Sequence, residues 1–245
     1  MNLRVAVAVM LLGGATTASA ETLNFGLRLG LTQGGYQNDS SFVVTELASG
    51  QDQQFVVASN DSWFYSFGLQ TGASVAVSNF FADLSVEYLD VQIDGGDFDR
   101  SDLLLTAGYL IGDHWSAFAG YRRGTQGDGV FDDKTFSESG FFVGAGYAGF
   151  ELGPFMMGTS LAYNFSKAED FPFPGDEFDY GGVSLKLAVN PKAAPQHTIQ
   201  LRYQRFTGDD SPRRELESDG IPVRVETVEL TESYVQLSYA YAFYF

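Results

Sequence analysis

Leu23, Phe25, Leu27, Leu29 and Leu31 alternate with Asn24, Gly26, Arg28, Gly30 and Thr32, and the same period of two returns along almost the whole chain. It continues as Trp63-Tyr65-Phe67-Leu69, Ala82-Leu84-Val86-Tyr88, Leu103-Leu105-Ala107-Tyr109, Trp115-Ala117-Ala119-Tyr121 and Phe141-Val143-Ala145-Tyr147. Then come Phe155-Met157-Thr159-Leu161-Tyr163, Val183-Leu185-Leu187-Val189, Ile199-Leu201-Tyr203 and Val235-Leu237-Tyr239-Tyr241-Phe243-Phe245, ten segments in all. In an extended strand such alternation places one set on each face. No helical periodicity competes with it over a comparable length.

The connections are of two kinds. Residues 76–80, 112–114, 151–154 and 190–196 are short links, whereas 33–61, 92–99, 124–137, 167–178 and 207–231 are long and acidic. Short and long alternate, so one end of the sheet is trimmed and the other elaborated. Phe42-Val43-Val44 and Phe55-Val56-Val57 are expected to extend the first hairpin, and Val223 to Val228 to begin the tenth strand early. The expected fold class is all-β: an antiparallel up-and-down barrel of about ten strands, with eight or twelve as alternatives. A soluble barrel packs its apolar face inward, whereas a membrane-spanning one turns it outward, rims it with aromatics and keeps a polar lumen. Here the polar set is rich in Gly, Ser, Ala, Gln and Thr. The apolar segments end repeatedly in rings, among them Tyr88, Tyr109, Trp115, Tyr121, Tyr147 and Tyr163. This combination favours the transmembrane barrel, its lumen partly filled.

Composition narrows the function classes. The 245 residues include 28 Gly, 22 Phe and 13 Tyr, and only 18% are charged. Fourteen basic residues against 31 acidic ones give a formal charge of −17, which argues against a nucleic-acid partner. The absence of Cys excludes disulfides, thiolate metal sites and cysteine nucleophiles. Residues 1–20 read as a cleaved signal peptide: Arg4 near the start, an apolar run from Val5 to Leu12, then Ala18-Ser19-Ala20. Residues 21–245 form the barrel domain, whose 13 basic and 31 acidic residues give −18. No later stretch is apolar for long enough to be a spanning helix.

The chain finishes Tyr239-Ala240-Tyr241-Ala242-Phe243-Tyr244-Phe245. This resembles the C-terminal assembly signature of bacterial outer-membrane β-barrel proteins, with Tyr239, Tyr241, Phe243 and Phe245 as the alternating aromatics. The resemblance is specific for the superfamily and for no subfamily. It implies that the last strand closes against the first and is read by the barrel-assembly machinery. It also implies short turns in the periplasm and long loops outside, with outer-membrane lipid and lipopolysaccharide as surroundings. A closed single-chain barrel has no free edge, so a monomer is expected.

Enzymatic members of that superfamily set a His beside Ser, Asp or Glu near the outer rim. The two histidines here, His114 and His197, fall in or beside short turns, so no catalytic residues and no cofactor are expected. On the inward face Arg28, Arg122, Lys186 and Arg202 stand against Asp83, Glu87 and Asp102, a set expected to form a paired network. Gly140, Gly144, Gly146, Gly158, Ser160, Ala162 and Gly182 leave space on the inner face of the sixth to eighth segments, where a narrow passage or ligand cavity remains open. Asp94, Asp97 and Asp99 form a weak divalent-cation pattern around Gly95-Gly96, and Asp128, Asp132, Asp133, Glu169, Asp170, Asp176, Glu177 and Asp179 add carboxylates elsewhere. Arg213 and Arg214 are expected to pair locally with Asp209, Asp210, Glu215 and Glu217. The expected function is that of a non-enzymatic integral outer-membrane protein whose acidic loops serve surface interaction or envelope integrity. A narrow porin-like channel for small solutes or ions is the alternative, and an outer-membrane enzyme a distant third.

Overall fold

The computed structural model describes residues 24–46, 51–55, 64–93, 96–127, 136–169, 177–208, 214–218 and 221–245. The expected signal peptide lies outside them, as do Asp94, Asp128, Asp132, Asp133, Asp170, Asp176, Asp209, Asp210 and Arg213. The strands are β1 (Asn24–Glu46), β2 (Gln51–Phe55), β3 (Phe64–Val77), β4 (Phe80–Ile93), β5 (Gly96–Ile111) and β6 (Trp115–Gln126). They continue as β7 (Phe136–Leu152), β8 (Phe155–Glu169), β9 (Glu177–Pro191), β10 (His197–Gly208), β11 (Arg214–Ser218) and β12 (Ile221–Tyr244).

Ten of these, β1, β3 to β10 and β12, form a closed antiparallel barrel. Closure runs through β12 against β1, from Gly26↔Tyr244 upward, and the Phe245 amide donates to the Phe25 carbonyl at 3.1 Å. β2 and β11 are short and flank the outer ends of β1 and β12. The expected extension of the first hairpin is present in part, with Phe42 opposite Phe55, while Val56 and Val57 lie outside the described residues. β12 likewise begins early, at Ile221, while β11 has no counterpart in the sequence reading. The link expected at 92–99 is mostly strand, since β4 runs to Ile93 and β5 starts at Gly96. Only Ile93 and Phe98 are apolar there, so the alternation that marks a strand disappears before the strand does.

The strand registers fix the barrel's geometry. The row through Arg28 passes Gly72, Ser85, Leu104, Arg122, Gly140, Ser166, Tyr180, Gly208 and Leu230, and returns to β1 at Ser40. The return falls twelve residues further along, from 28 to 40. Ten strands with that shear tilt by about 40° at ordinary strand spacing and rise, within the range of natural barrels. The narrow turns suit the trimmed end: Gly112 and Gly153 take φ of +65° and +55°, which glycine adopts without Cβ strain.

The wall is apolar on its outside. Leu29, Leu69, Leu105, Phe141, Leu161 and Leu185 all point outward and are exposed, Phe141 by 68%. Tyr65, Tyr88, Tyr121, Tyr163 and Tyr203 top this band near the long-loop end, while Phe80, Tyr109, Trp115, Phe155, Phe243 and Phe245 edge it near the short turns. From Phe80 to Tyr88 and from Phe155 to Tyr163 the chain advances eight residues between the two rings, about 20 Å along the barrel axis at that tilt, close to the ~25 Å apolar band of a membrane barrel. Of the assembly-signature residues, Tyr239, Phe243 and Phe245 are exposed on this outer face, beside Tyr241.

Candidate functional site

The inner face carries the polar chemistry. The residue before or after each outward ring points inward by the strand period, and there Arg28, Asp83, Glu87, Asp102, Arg122, Lys186 and Arg202 all line the lumen. Three residues join them that the sequence reading missed: Arg100, Glu138 and Glu232, each buried to within 2%. Among the described residues, five cations therefore meet five carboxylates inside the wall.

They divide into two groups. Toward the long-loop end, the Arg100 guanidinium donates from Nε and Nη2 to Asp102, both at 3.1 Å, and from Nη1 to the Tyr234 hydroxyl at 2.6 Å. It also donates to Glu138. Arg122 shares the same carboxylates, at 3.2 Å from Asp102 and 2.8 Å from Glu138. Its guanidinium lies 4.5 Å from the Phe206 ring centroid, a cation–π stack across strands. Glu232 is solvated by phenols: Tyr36 donates to it at 2.9 Å, Tyr234 at 3.0 Å, and Tyr180 also donates. Around these polar atoms pack Tyr36, Leu89, Val91, Phe178, Tyr180, Phe206 and Leu230, drawn from opposite walls into one cluster. This end of the lumen is filled.

Nearer the short turns, Arg202 binds Glu87 and receives Gln236 as an acceptor, at 2.6 Å from Nε. Arg28 faces Asp83 at 3.4 Å. A cavity of about 40 Å³ separates these pairs, lined by Arg28, Gln70, Asp83, Glu87, Thr106, Lys186, Gln200 and Arg202 among others. Phe81, Leu110, Ala148 and Met156 pack beyond it against the β3–β8 side of the wall.

The open space thus lies between β1, β3 to β5 and β9, β10, not along the glycine-rich wall where the sequence left a passage open. Gly144 of that set, and Gly120 on the neighbouring strand β6, are sockets for large side chains. A Cβ at Gly144 would meet the Phe118 ring, and one at Gly120 the Phe142 ring. Small residues on one strand accept the large ones of the next, so the wall closes there without leaving a pore.

The loop candidates fare differently. Asp99 is exposed, directly across from Asp90, and the side chain of Asp97 lies outside the described residues with Asp94. No group of three or more metal-ligating side chains occurs among the described residues. Glu177 pairs with Lys167, and Glu215 pairs with Arg224 at 2.9 Å. The second pair forms because β11 lies against β12 with Glu215 opposite Arg224; Arg213 and the Arg214 side chain, expected to pair locally, lie outside the described residues. His197 Nδ1 lies 2.7 Å from the Tyr239 hydroxyl and His114 packs beside Tyr147, both at the short-turn end.

Ten tilted strands, an apolar exterior ringed by aromatics and a charge-filled interior define a transmembrane β-barrel of the outer-membrane kind. No family model and no curated protein sequence matches the chain. Solved structures similar to it include the outer membrane protease OmpT from Escherichia coli, at TM-score 0.41 and 11% identity, covering 92% of this chain and 100% of that one. The outer membrane protein OprG from Pseudomonas aeruginosa has TM-score 0.33 and 12% identity, covering 91% and 98%. An outer membrane channel from Pseudomonas putida F1 has TM-score 0.36 and 9% identity, covering 94% and 100%. The likeness is one of barrel architecture alone.

Proposed function

We propose that this chain is a non-enzymatic, integral outer-membrane barrel that works at the cell surface, through interaction or envelope integrity, and does not conduct. One observation carries the reading: the Arg100–Arg122–Asp102–Glu138 cluster and its packed aromatic surround fill the lumen toward the long-loop end. An ion entering from that side would have to displace buried, mutually paired charges, which is far costlier than crossing a hydrated pore. On this reading the short turns face the periplasm and the acidic loops face outward. The assembly machinery inserts the chain as a monomer.

Its surroundings also suit the surface. Arg123, Lys167 and Arg205 point outward from β6, β8 and β10, above the rings of Tyr121, Tyr163 and Tyr203. Lys167 is paired there with Glu177, so Arg123 and Arg205 are the cations left at the height of lipid phosphates, which suits phosphorylated outer-leaflet lipid such as lipopolysaccharide. The test is single-channel recording of the detergent-refolded barrel in a planar bilayer. Electrical silence from a barrel shown to be folded is expected. Discrete, reproducible conductance steps would replace this proposal with the narrow-channel reading.

A further inference from the structure

The lumen's charges balance as a whole but not layer by layer. Toward the long-loop end, Arg100 and Arg122 face Asp102, Glu138 and Glu232, and the tyrosine hydroxyls solvate the surplus carboxylate. Around the cavity the imbalance reverses, with Arg28, Lys186 and Arg202 against Asp83 and Glu87. Arg28 is taken by Asp83, and Arg202 by Glu87 and Gln236. Lys186 has no ion-pair partner within 4.0 Å among the described residues, and it stands directly opposite Arg202 in the β9–β10 register. Like charges directly opposed on one face of a sheet destabilise it. The surplus cation therefore borders open space and a second cation at once.

We infer that this cavity is a binding site for a small oxyanion, of carboxylate or phosphate chemistry, held by Lys186 with Arg202 and Arg28 beside it. An anion there relieves the Lys186–Arg202 repulsion and brings the layer's charge to balance. Thr106, Gln70 and Gln200 supply neutral hydrogen-bonding groups around the same cavity. The cavity has room for such a group, being larger than the ~15 Å³ that admits one water. A tight crevice lined by Gly26, Ser74, Asp83 and Ala242 lies beside Arg28 on the short-turn side, while the filled layer closes the long-loop side. This site is independent of the role assigned to the loops, and binding is measured without reference to conductance.

The experiment is equilibrium dialysis of the detergent-folded barrel against radiolabelled phosphate and, separately, radiolabelled acetate, at constant ionic strength set with sodium chloride. About one equivalent of at least one probe is expected to bind. Lys186→Met should weaken it by about tenfold or more, and Lys186→Arg should restore most of the affinity. Because Lys186→Met removes a like-charge opposition, it should fold as well as the parent, read as the same heat-modifiable band on a gel. Binding of acetate alone assigns a carboxylate ligand, and of phosphate alone a phosphate ligand. Absence of binding of either probe to the folded parent overturns the proposal, and so does undiminished binding to a folded Lys186→Met barrel.

Discussion

Removing Arg100 should strip the buried cluster of its organiser. Its guanidinium holds Asp102 through two hydrogen bonds at 3.1 Å, Tyr234 at 2.6 Å and Glu138, and it is 1% exposed. In Arg100→Met the carboxylates of Asp102, Glu138 and Glu232 are left with Arg122 as the single guanidinium among them. Breaking one side of a buried ion pair costs about 3–5 kcal/mol, because the remaining charge stays desolvated. With a urea slope on the order of 1–3 kcal/mol per molar, the unfolding midpoint should fall by roughly 2 M. The assay is urea unfolding of vesicle-inserted barrel, followed by Trp63 and Trp115 fluorescence and checked by heat-modifiable gel mobility. Adding Glu138→Gln should recover part of the loss, since it removes an orphaned charge, with a coupling of about 1–3 kcal/mol. A midpoint within ~0.3 M of the parent, or two substitutions additive within ~0.5 kcal/mol, would refute the idea that this network is electrostatically coupled.

Three further outcomes are expected in the same unfolding assay. Leu161→Arg, at a site 57% exposed in the middle of the band, should cost about 2–4 kcal/mol, whereas Ser139→Arg, in register with Arg123 and Lys167 above the band, should cost about 0–1 kcal/mol; equal costs would mean the band is misplaced. Tyr180→Phe removes one of three phenols that donate to Glu232 and should destabilise by about 1.5–3 kcal/mol, the range for a hydrogen bond to a charged group. Gly182→Ala places a Cβ against the Arg205 carbonyl oxygen and 2.7 Å from the Phe206 Cα, so β9 and β10 must part locally; a loss of about 1–3 kcal/mol is expected, and a neutral result would show that the wall yields.

Much of the barrel was readable because its apolar band imposes a period of two wherever a strand crosses it. Leu103, Leu105 and Tyr109 announce β5, and from them Asp102 is known to face inward. Arg100 is one pleat further out, flanked by Asp99 and Ser101, where no oily neighbour marks which way the chain points. Glu138 sits between Ser137 and Ser139, and Glu232 between Thr231 and Ser233, for the same reason. The three residues that complete the charge balance were thus hidden by the very change that ends the apolar band. The position of the cavity was illegible for another cause. Glycine spacing reports where a wall is thin, but whether a ring such as Phe118 or Phe142 fills the socket depends on the register of neighbouring strands.

The unequal strand lengths have a consequence for reach. β1 has 23 residues and β12 has 24, whereas β6 and β10 have 12 each. The excess of about eleven residues is roughly 35 Å of chain, all of it on one side of the mouth. Flanked by β2 and β11, it makes a four-stranded blade standing beyond the rim. An approaching macromolecule would meet this off-centre mast before the barrel itself, so contact would be made on the flank above the seam where the first and last strands join.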